Sequence, residues 1–299
     1  GEEWGVWSSG RHIIDAVIKD LVGKHERMRR ADNVLLVGHS SGGIGTLAHV
    51  DRMQELLLPW AKVAGVPVAG YYWPQHEIYT GPENRSIPLD AIMDARWAMR
   101  NYMAKNFTLP RQCVHARKSD PWMCYFGAVS FPYLKAPVYV VNAQTDNYRL
   151  YQHSAFQQPQ FHLPFGAPAL RFVQRWSLNM SRSVEPVRRN ESLGKSGMFL
   201  PACWLHSEFD FQAPSINGTD FVHAAAAFLY GDGPRLLEDN CTLTVSIHNS
   251  RRSPSSTEVS YSYPGLMCNP TCPSWYRQSQ VQPRYHVQEK EDPHSRTAG

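Results

Sequence analysis

Asn33-Val-Leu-Leu-Val-Gly-His-Ser-Ser-Gly-Gly43 is the stretch that decides how this chain folds. Val34 to Val37 is an unbroken apolar run, short enough for a buried parallel strand. Gly38-His39-Ser40-Ser41-Gly42 follows at once and fits G-x-S-x-G. Ile44 to Leu58 then reads as a helix, with Ile44, Leu47, Ala48, Met53, Leu56 and Leu57 near helical spacing. Strand, tight turn and helix are the context in which that motif becomes a nucleophile elbow. The serine then stands at the apex of a strained turn, flanked by glycines because side chains there would collide with strand and helix. The N–H of Ser41, close to the helix N-terminus, is the candidate donor to an oxyanion. Five residues alone are weak evidence, since a Gly-Ser turn after a strand is often only a turn. An acid and a histidine must follow in the right order.

Outward from the elbow, Arg11 to Lys24 reads as an amphipathic helix with Ile13, Ile14, Val17, Leu21 and Val22 on one face and Ser9 as its N-cap. His25 to Asp32 is a charged connector. Downstream, Ala64 to Trp73 reads as the next strand and its exit. That places Gly70, Tyr71 and Tyr72, the candidate substrate pocket, with Trp73 near the serine; as aromatics they serve equally well as ordinary core. Ile87 to Lys105 is a helix with Pro88 in its first turn. Ala136 to Ala143 is a further buried strand, and Gln144-Thr-Asp-Asn-Tyr148 is the loop at its carboxyl end. Residues 151–168 read as a surface excursion, Ala169 to Met180 as a helix and 181–196 as a polar loop. Met198 to Leu205 is a third apolar segment, ending at His206. Asn217-Gly-Thr219 looks like a helix start, leading into Phe221 to Tyr230, which Gly231 stops. Residues 1–275 make one partial domain, and 276–299 are expected to be a disordered polar tail.

Apolar strands alternating with helices predict an α/β fold, with active residues at the carboxyl ends of a mostly parallel sheet. Ser40, Asp146 and His206 occupy such ends, in the order nucleophile, acid, histidine. A neutral alcohol is a poor nucleophile, so His206 must take its proton. A carboxylate such as Asp146 fixes the tautomer and stabilises the imidazolium. Each has a plainer alternative: Asp146 as a loop carboxylate, His206 as one of thirteen histidines. His223 is the reserve base, and Asp210 or Asp220 the reserve acid. His39 is assigned to packing, since its side chain should diverge from Ser40.

The chain has 299 residues, 42% of them hydrophobic, and a formal charge of +4. No basic run interleaved with aromatics points to nucleic acid, and no apolar run has the length of a membrane span. Six cysteines, Cys113, Cys124, Cys203, Cys241, Cys268 and Cys272, are even in number and lack zinc-ligand spacing, so no metal is implied. Cys113 and Cys124 bracket a short loop and are expected to pair. The other four allow three pairings, which the sequence leaves open. Six asparagines, Asn84, Asn106, Asn179, Asn190, Asn217 and Asn240, open N-x-S/T sequons. Disulfides and glycosylation sites together predict a secreted or cell-wall protein. The chain opens on Gly1 without methionine or signal peptide, which suggests a fragment or processed product.

The segments Gly38-His-Ser-Ser-Gly-Gly43, Asn142-Ala-Gln-Thr-Asp146-Asn-Tyr148, Cys203-Trp-Leu-His206, Ile216-Asn-Gly218 and Cys268-Asn-Pro-Thr-Cys272 together resemble the pectin acetylesterase and Notum family of secreted esterases. The resemblance runs through most of the chain. It implies an α/β-hydrolase-like fold with N-terminal strands missing, a nucleophile, acid and base at Ser40, Asp146 and His206, and no metal or organic cofactor. The substrate it implies is an O-acetylated polysaccharide such as pectin. The alternative is an acylated secreted protein losing a fatty acyl group in the manner of Notum, towards which Cys268-Asn-Pro-Thr-Cys-Pro273 leans. A rival of another class is an inactive module that keeps the fold to bind glycans or lipids. The family's upstream Gly-Gly-Trp segment, whose backbone supplies further oxyanion donors, has no counterpart in the sequence. Val68-Ala69 also stand where the family usually carries an acidic residue ahead of Gly70.

Overall fold

The computed structural model describes residues 10–57, 61–75, 77, 79, 108–153, 167–191, 194–206, 209, 214–248, 258–264, 268–273 and 285–288. The helix expected at 87–105 and most of the excursion at 151–168 lie outside them. So does the cap position Ser9.

Five parallel strands form the central sheet in the order β1 (Asn33–His39), β2 (Lys62–Val68), β3 (Val138–Val141), β4 (Ser196–Leu200), β7 (Leu236–Glu238). Period-two alternation sorts their side chains onto two cores. Val63, Val138, Val140, Met198 and Leu200 face one core, and Ala64, Val66, Tyr139, Val141 and Phe199 face the other. Residues from α1 (Gly10–Lys24), α2 (Ser41–Leu57) and α4 (Ala167–Ser183) join the first core. The helix α5 (Phe221–Tyr230) supplies Ala224, Ala225, Phe228 and Leu229 to the second. Both faces of the sheet are thus covered, which is why its strands read as continuous apolar runs.

Several local expectations are corrected. On α1 the buried stripe is Ile14, Ile18 and Val22, spaced four apart, while Ile13, Val17 and Leu21 are exposed. The loop after Asp146 turns at once into α3 (Asn147–His153). The polar segment 181–196 contains the end of α4 and a short helix, Glu185–Asn190, with Pro186 in its first turn. Asn217-Gly218 is the turn of a small hairpin between β5 (Ser215–Ile216) and β6 (Thr219–Asp220), with φ of 52° and 75°. Two positive φ values are what a tight hairpin of this kind demands, and Asn-Gly meets them most easily. The helix itself starts one turn later, capped by the Asp220 carboxylate on the N–H groups of Val222 and His223, and ends at Gly231 as expected.

A second sheet, antiparallel and three-stranded, has the order β10 (Tyr285–Gln288), β8 (Thr242–His248), β9 (Glu258–Pro264). β10 lies inside the expected disordered tail, so that expectation fails over these four residues: their backbone groups find partners along β8, from Tyr285↔Val245 to Gln288↔Thr242. The rest of 276–299 lies outside the described residues. All six cysteines are paired, as Cys113–Cys124, Cys203–Cys272 and Cys241–Cys268.

Candidate active site

Backbone hydrogen bonds continue past the ends of the strands and lace their exit loops together. Ser40 N–H donates to the Val68 carbonyl (2.8 Å), Ala69 N–H to Val141 (2.8 Å), Asn142 N–H to Phe199 (3.1 Å), Gln144 N–H to Pro201 (2.9 Å), and Leu205 N–H to Thr145 (3.3 Å). Four loops are thereby held at one edge of the sheet, and each carries a residue of the site.

Ser40 sits between β1 and α2 with φ of +57°, a left-handed conformation that a non-glycine residue holds only under constraint. Its carbonyl accepts from Gly43 N–H (2.9 Å) and Ile44 N–H (3.2 Å), so the helix begins on the turn itself. A methyl group on Gly38 would run into the Gly42 carbonyl. One on Gly70 would lie 2.6 Å from the Gly43 Cα and 2.7 Å from the Ser40 carbonyl oxygen. Gly42, by contrast, faces open space. The close approach therefore depends on Gly38, Gly43 and Gly70, rather than on both glycines of the motif. Ala69, at φ +48°, is a second left-handed residue beside the turn.

The structure brings the three distant residues together. His206 Nε2 lies 2.8 Å from Ser40 Oγ, and His206 Nδ1 lies 2.8 Å from Asp146 Oδ2. The other carboxylate oxygen of Asp146 accepts the N–H of Arg149 (2.9 Å), which anchors it to the first turn of α3. Asp146 is 1% and His206 5% exposed, so the pair is shielded from water. Ser41 opens α2, where the first N–H groups have no partner within the helix.

Sequence reasoning missed other neighbours. The Tyr148 ring stacks on His206, with centroids 4.9 Å apart and planes at 20°, and remains 43% exposed. His39 does not simply pack: its Nε2 lies 3.1 Å from the His206 carbonyl oxygen. Arg149, fully buried, lays its guanidinium over the Tyr72 ring at 4.0 Å and donates to the Trp73 carbonyl (3.1 Å). No motif announces these contacts, although Tyr148 and Arg149 lie within one turn of Asp146.

The pocket expectation divides. Tyr72 is buried, and its hydroxyl is in electrostatic contact with Ser40 and Asp146; burial above all, then the Asp146 charge, pushes its pKa far above the ordinary value. Tyr71 is a core residue instead: fully buried, edge-on to Phe131, its hydroxyl donating to the Ser183 carbonyl (2.9 Å), with no surface left for a ligand. Gly70 contributes close backbone approach. The reserve pair is elsewhere: His223 and Asp220 bond each other (2.7 Å) at the exposed start of α5. Asp210 lies outside the described residues. Of the sequon asparagines, Asn217 and Asn240 are exposed, Asn179 and Asn190 half-buried, and Asn84 and Asn106 outside the described residues. Among the described residues no cluster of His, Cys, Asp or Glu is arranged to hold a metal ion, and no helix is long and apolar enough to cross a membrane.

The pattern of the pectinacetylesterase family matches residues 2–273. The chain belongs to this family. Among its relatives, the palmitoleoyl-protein carboxylesterase notum1 of Xenopus laevis is 27% identical over 281 residues, which are 91% of this chain and 52% of that protein. Pectin acetylesterase 11 of Arabidopsis thaliana is 27% identical over 276 residues, 89% of this chain and 62% of that protein. The crystal structure of the Wnt deacylase Notum from Drosophila superposes with a TM-score of 0.61 at 22% identity, covering 77% of this chain and 62% of that one. That likeness shows the α/β-hydrolase-like fold. This pectinacetylesterase-family chain spans about half the length of the Notum relatives it matches.

Proposed function

We propose that the chain is a serine carboxylic-ester hydrolase in which Ser40 is the nucleophile, His206 the general base and Asp146 the group that orients it. The observation that carries this reading is the line of contacts Ser40 Oγ–His206 Nε2 and His206 Nδ1–Asp146 Oδ2, each 2.8 Å, ending on a serine in a left-handed turn. His206 takes the Ser40 proton as Oγ bonds to the ester carbonyl carbon, and the carbonyl oxygen becomes an oxyanion facing the Ser41 N–H. The imidazolium, held by Asp146, then protonates the departing alcohol. Water repeats the cycle on the acyl-serine, releasing the acid and restoring Ser40.

For the substrate we favour a short acyl group, O-acetyl on a polysaccharide such as pectin. The likeness to Arabidopsis pectin acetylesterases supports this choice. The second reading, removal of a fatty acyl group from a secreted protein, is favoured by the partly buried apolar residues Ile44, Trp122, Met123, Tyr125 and Val129 packed against Tyr72 and Phe126. Relatives of both kinds match at 27% identity, so overall likeness supports the two readings equally. The three disulfides and the sequons support an extracellular site of action.

A hydrolysis panel of p-nitrophenyl esters from acetate to palmitate, run beside acetylated pectin and a palmitoleoylated peptide, tests both layers. Stoichiometric labelling of Ser40 by a fluorophosphonate, with turnover highest on acetate, is the expected result. A correctly folded protein that neither labels nor hydrolyses any ester would be the inactive binding module instead.

A further inference from the structure

His206 stands at the end of a long reach. β4 ends at Leu200, and the chain runs six further residues to the imidazole. Asp146 on Nδ1 and the Tyr148 ring on one face restrain the rotation of the side chain. Neither holds the backbone of the loop. That backbone is tied upstream of His206, by Gln144 N–H on the Pro201 carbonyl, the Cys203–Cys272 disulfide and Leu205 N–H on the Thr145 carbonyl. A contact on the His206 carbonyl comes from the opposite side of the site, 167 residues away in sequence, where the His39 Nε2 meets it at 3.1 Å.

Resting on the esterase reading above, we propose that His39 is a positioning residue, whose imidazole donates a hydrogen bond to the His206 carbonyl and so sets the separation between the base and Ser40. A carbonyl oxygen can only accept, so Nε2 must carry the proton in this contact. The rings of His39 and His206 are 5.2 Å apart and inclined at 51°, so they are not stacked, and the hydrogen bond is the directional link. His39 is also the residue immediately before the nucleophile, at the end of β1. The group that holds the base and the group that the base serves therefore sit on one strand end. A small displacement of that strand carries both along and leaves the gap between Nε2 and Oγ unchanged. Proton transfer is steeply sensitive to such a gap, so a holding group of this kind acts on turnover rather than on substrate affinity.

The test uses the intact chain and its His39→Phe and His39→Gln variants. Phe fills the ring volume without a donor, whereas the Gln side-chain amide places an N–H near the position of Nε2. Active sites are counted by stoichiometric fluorophosphonate labelling, so misfolded protein drops out of the rate. Per labelled site, His39→Phe should lose about tenfold or more in kcat on p-nitrophenyl acetate, with KM changed less than about twofold, and His39→Gln should recover most of the loss. Wild-type kcat in His39→Phe, or His39→Gln as slow as His39→Phe, overturns the proposal. Ser40→Ala run alongside separates the two layers. If it keeps wild-type turnover, the esterase reading of this site fails; if it is inert while His39→Phe is normal, the positioning role alone fails.

Discussion

Asp146→Asn changes one atom and almost no volume, so it isolates what the carboxylate does for His206. The carboxylate is 1% exposed and has both oxygens engaged, Oδ2 on His206 Nδ1 at 2.8 Å and Oδ1 on the Arg149 N–H at 2.9 Å. An amide in the same place must keep its oxygen on Arg149, because an NH2 group there would face another donor. Its NH2 group then points at His206 Nδ1, which must become a bare acceptor. The imidazole proton moves to Nε2, and Nε2 donates to Ser40 Oγ instead of receiving its proton. The imidazolium also loses the charge that stabilises it. The wrong tautomer in such a triad costs on the order of 10⁴ in kcat, which is about 5 kcal/mol of barrier. Folding should persist, because shape and burial are kept. The assay is kcat on p-nitrophenyl acetate per folded protein, beside a thermal melt. A well-folded Asp146→Asn protein retaining more than about a tenth of wild-type kcat would refute the tautomer argument.

Three further outcomes are expected. Ser40→Ala should lower kcat by several orders of magnitude, and adding Asp146→Asn should make it little worse, because the residues act as a unit; additive losses in the double variant would show that they do not. Burial holds the phenols of Tyr71, Tyr72 and Tyr139 protonated above the ordinary value of 10.0. Their contribution to stability is complete below pH 10 and is lost as pH rises, since the unfolded chain releases three protons that the folded chain keeps. The unfolding free energy should therefore drop by about 3 kcal/mol between pH 10 and pH 11, and a flat urea midpoint over that range would contradict this. Replacing Cys203 and Cys272 together by Ala should cost about 4 kcal/mol and replacing Cys113 with Cys124 about 3 kcal/mol, by loop length. The first pair should depress kcat more, because it tethers the His206 loop; equal kcat in the two variants would rule out that tether.

How much the sequence discloses depends on how local the signal is. The elbow, the strands around Val66, Val140 and Phe199, and the helix from Phe221 to Tyr230 are written in short-range patterns, and the structure carries all of them. Ser40, Asp146 and His206 could be placed because strand ends mark their positions, although their meeting spans 166 residues of chain. The period-two alternation of Leu243, Val245 and Ile247 is the local signal for β8, but the pairing that makes it the centre of a second sheet comes from segments with no such mark. Tyr71 and Tyr72 look alike in sequence, yet the first packs in the main core and the second packs with Phe126 and interacts with Ser40. His39 shows the limit of reasoning from the turn alone. Its side chain does leave Ser40, and the loop from β4 then comes to meet it.

Chain order gives the Cys203–Cys272 bridge a meaning in time. Ser40 and its elbow lie on β1 and against β2, both of which precede the His206 loop in the chain. The loop bearing His206 is fastened by a cysteine 69 residues beyond its partner, on the far side of β8 and β9. Until the second cysteine has been made, this bridge cannot fasten the loop that carries the base. Fastening the base is thus partly an oxidation, so protein made under reducing conditions should show a lower kcat per folded molecule than the same protein after oxidation.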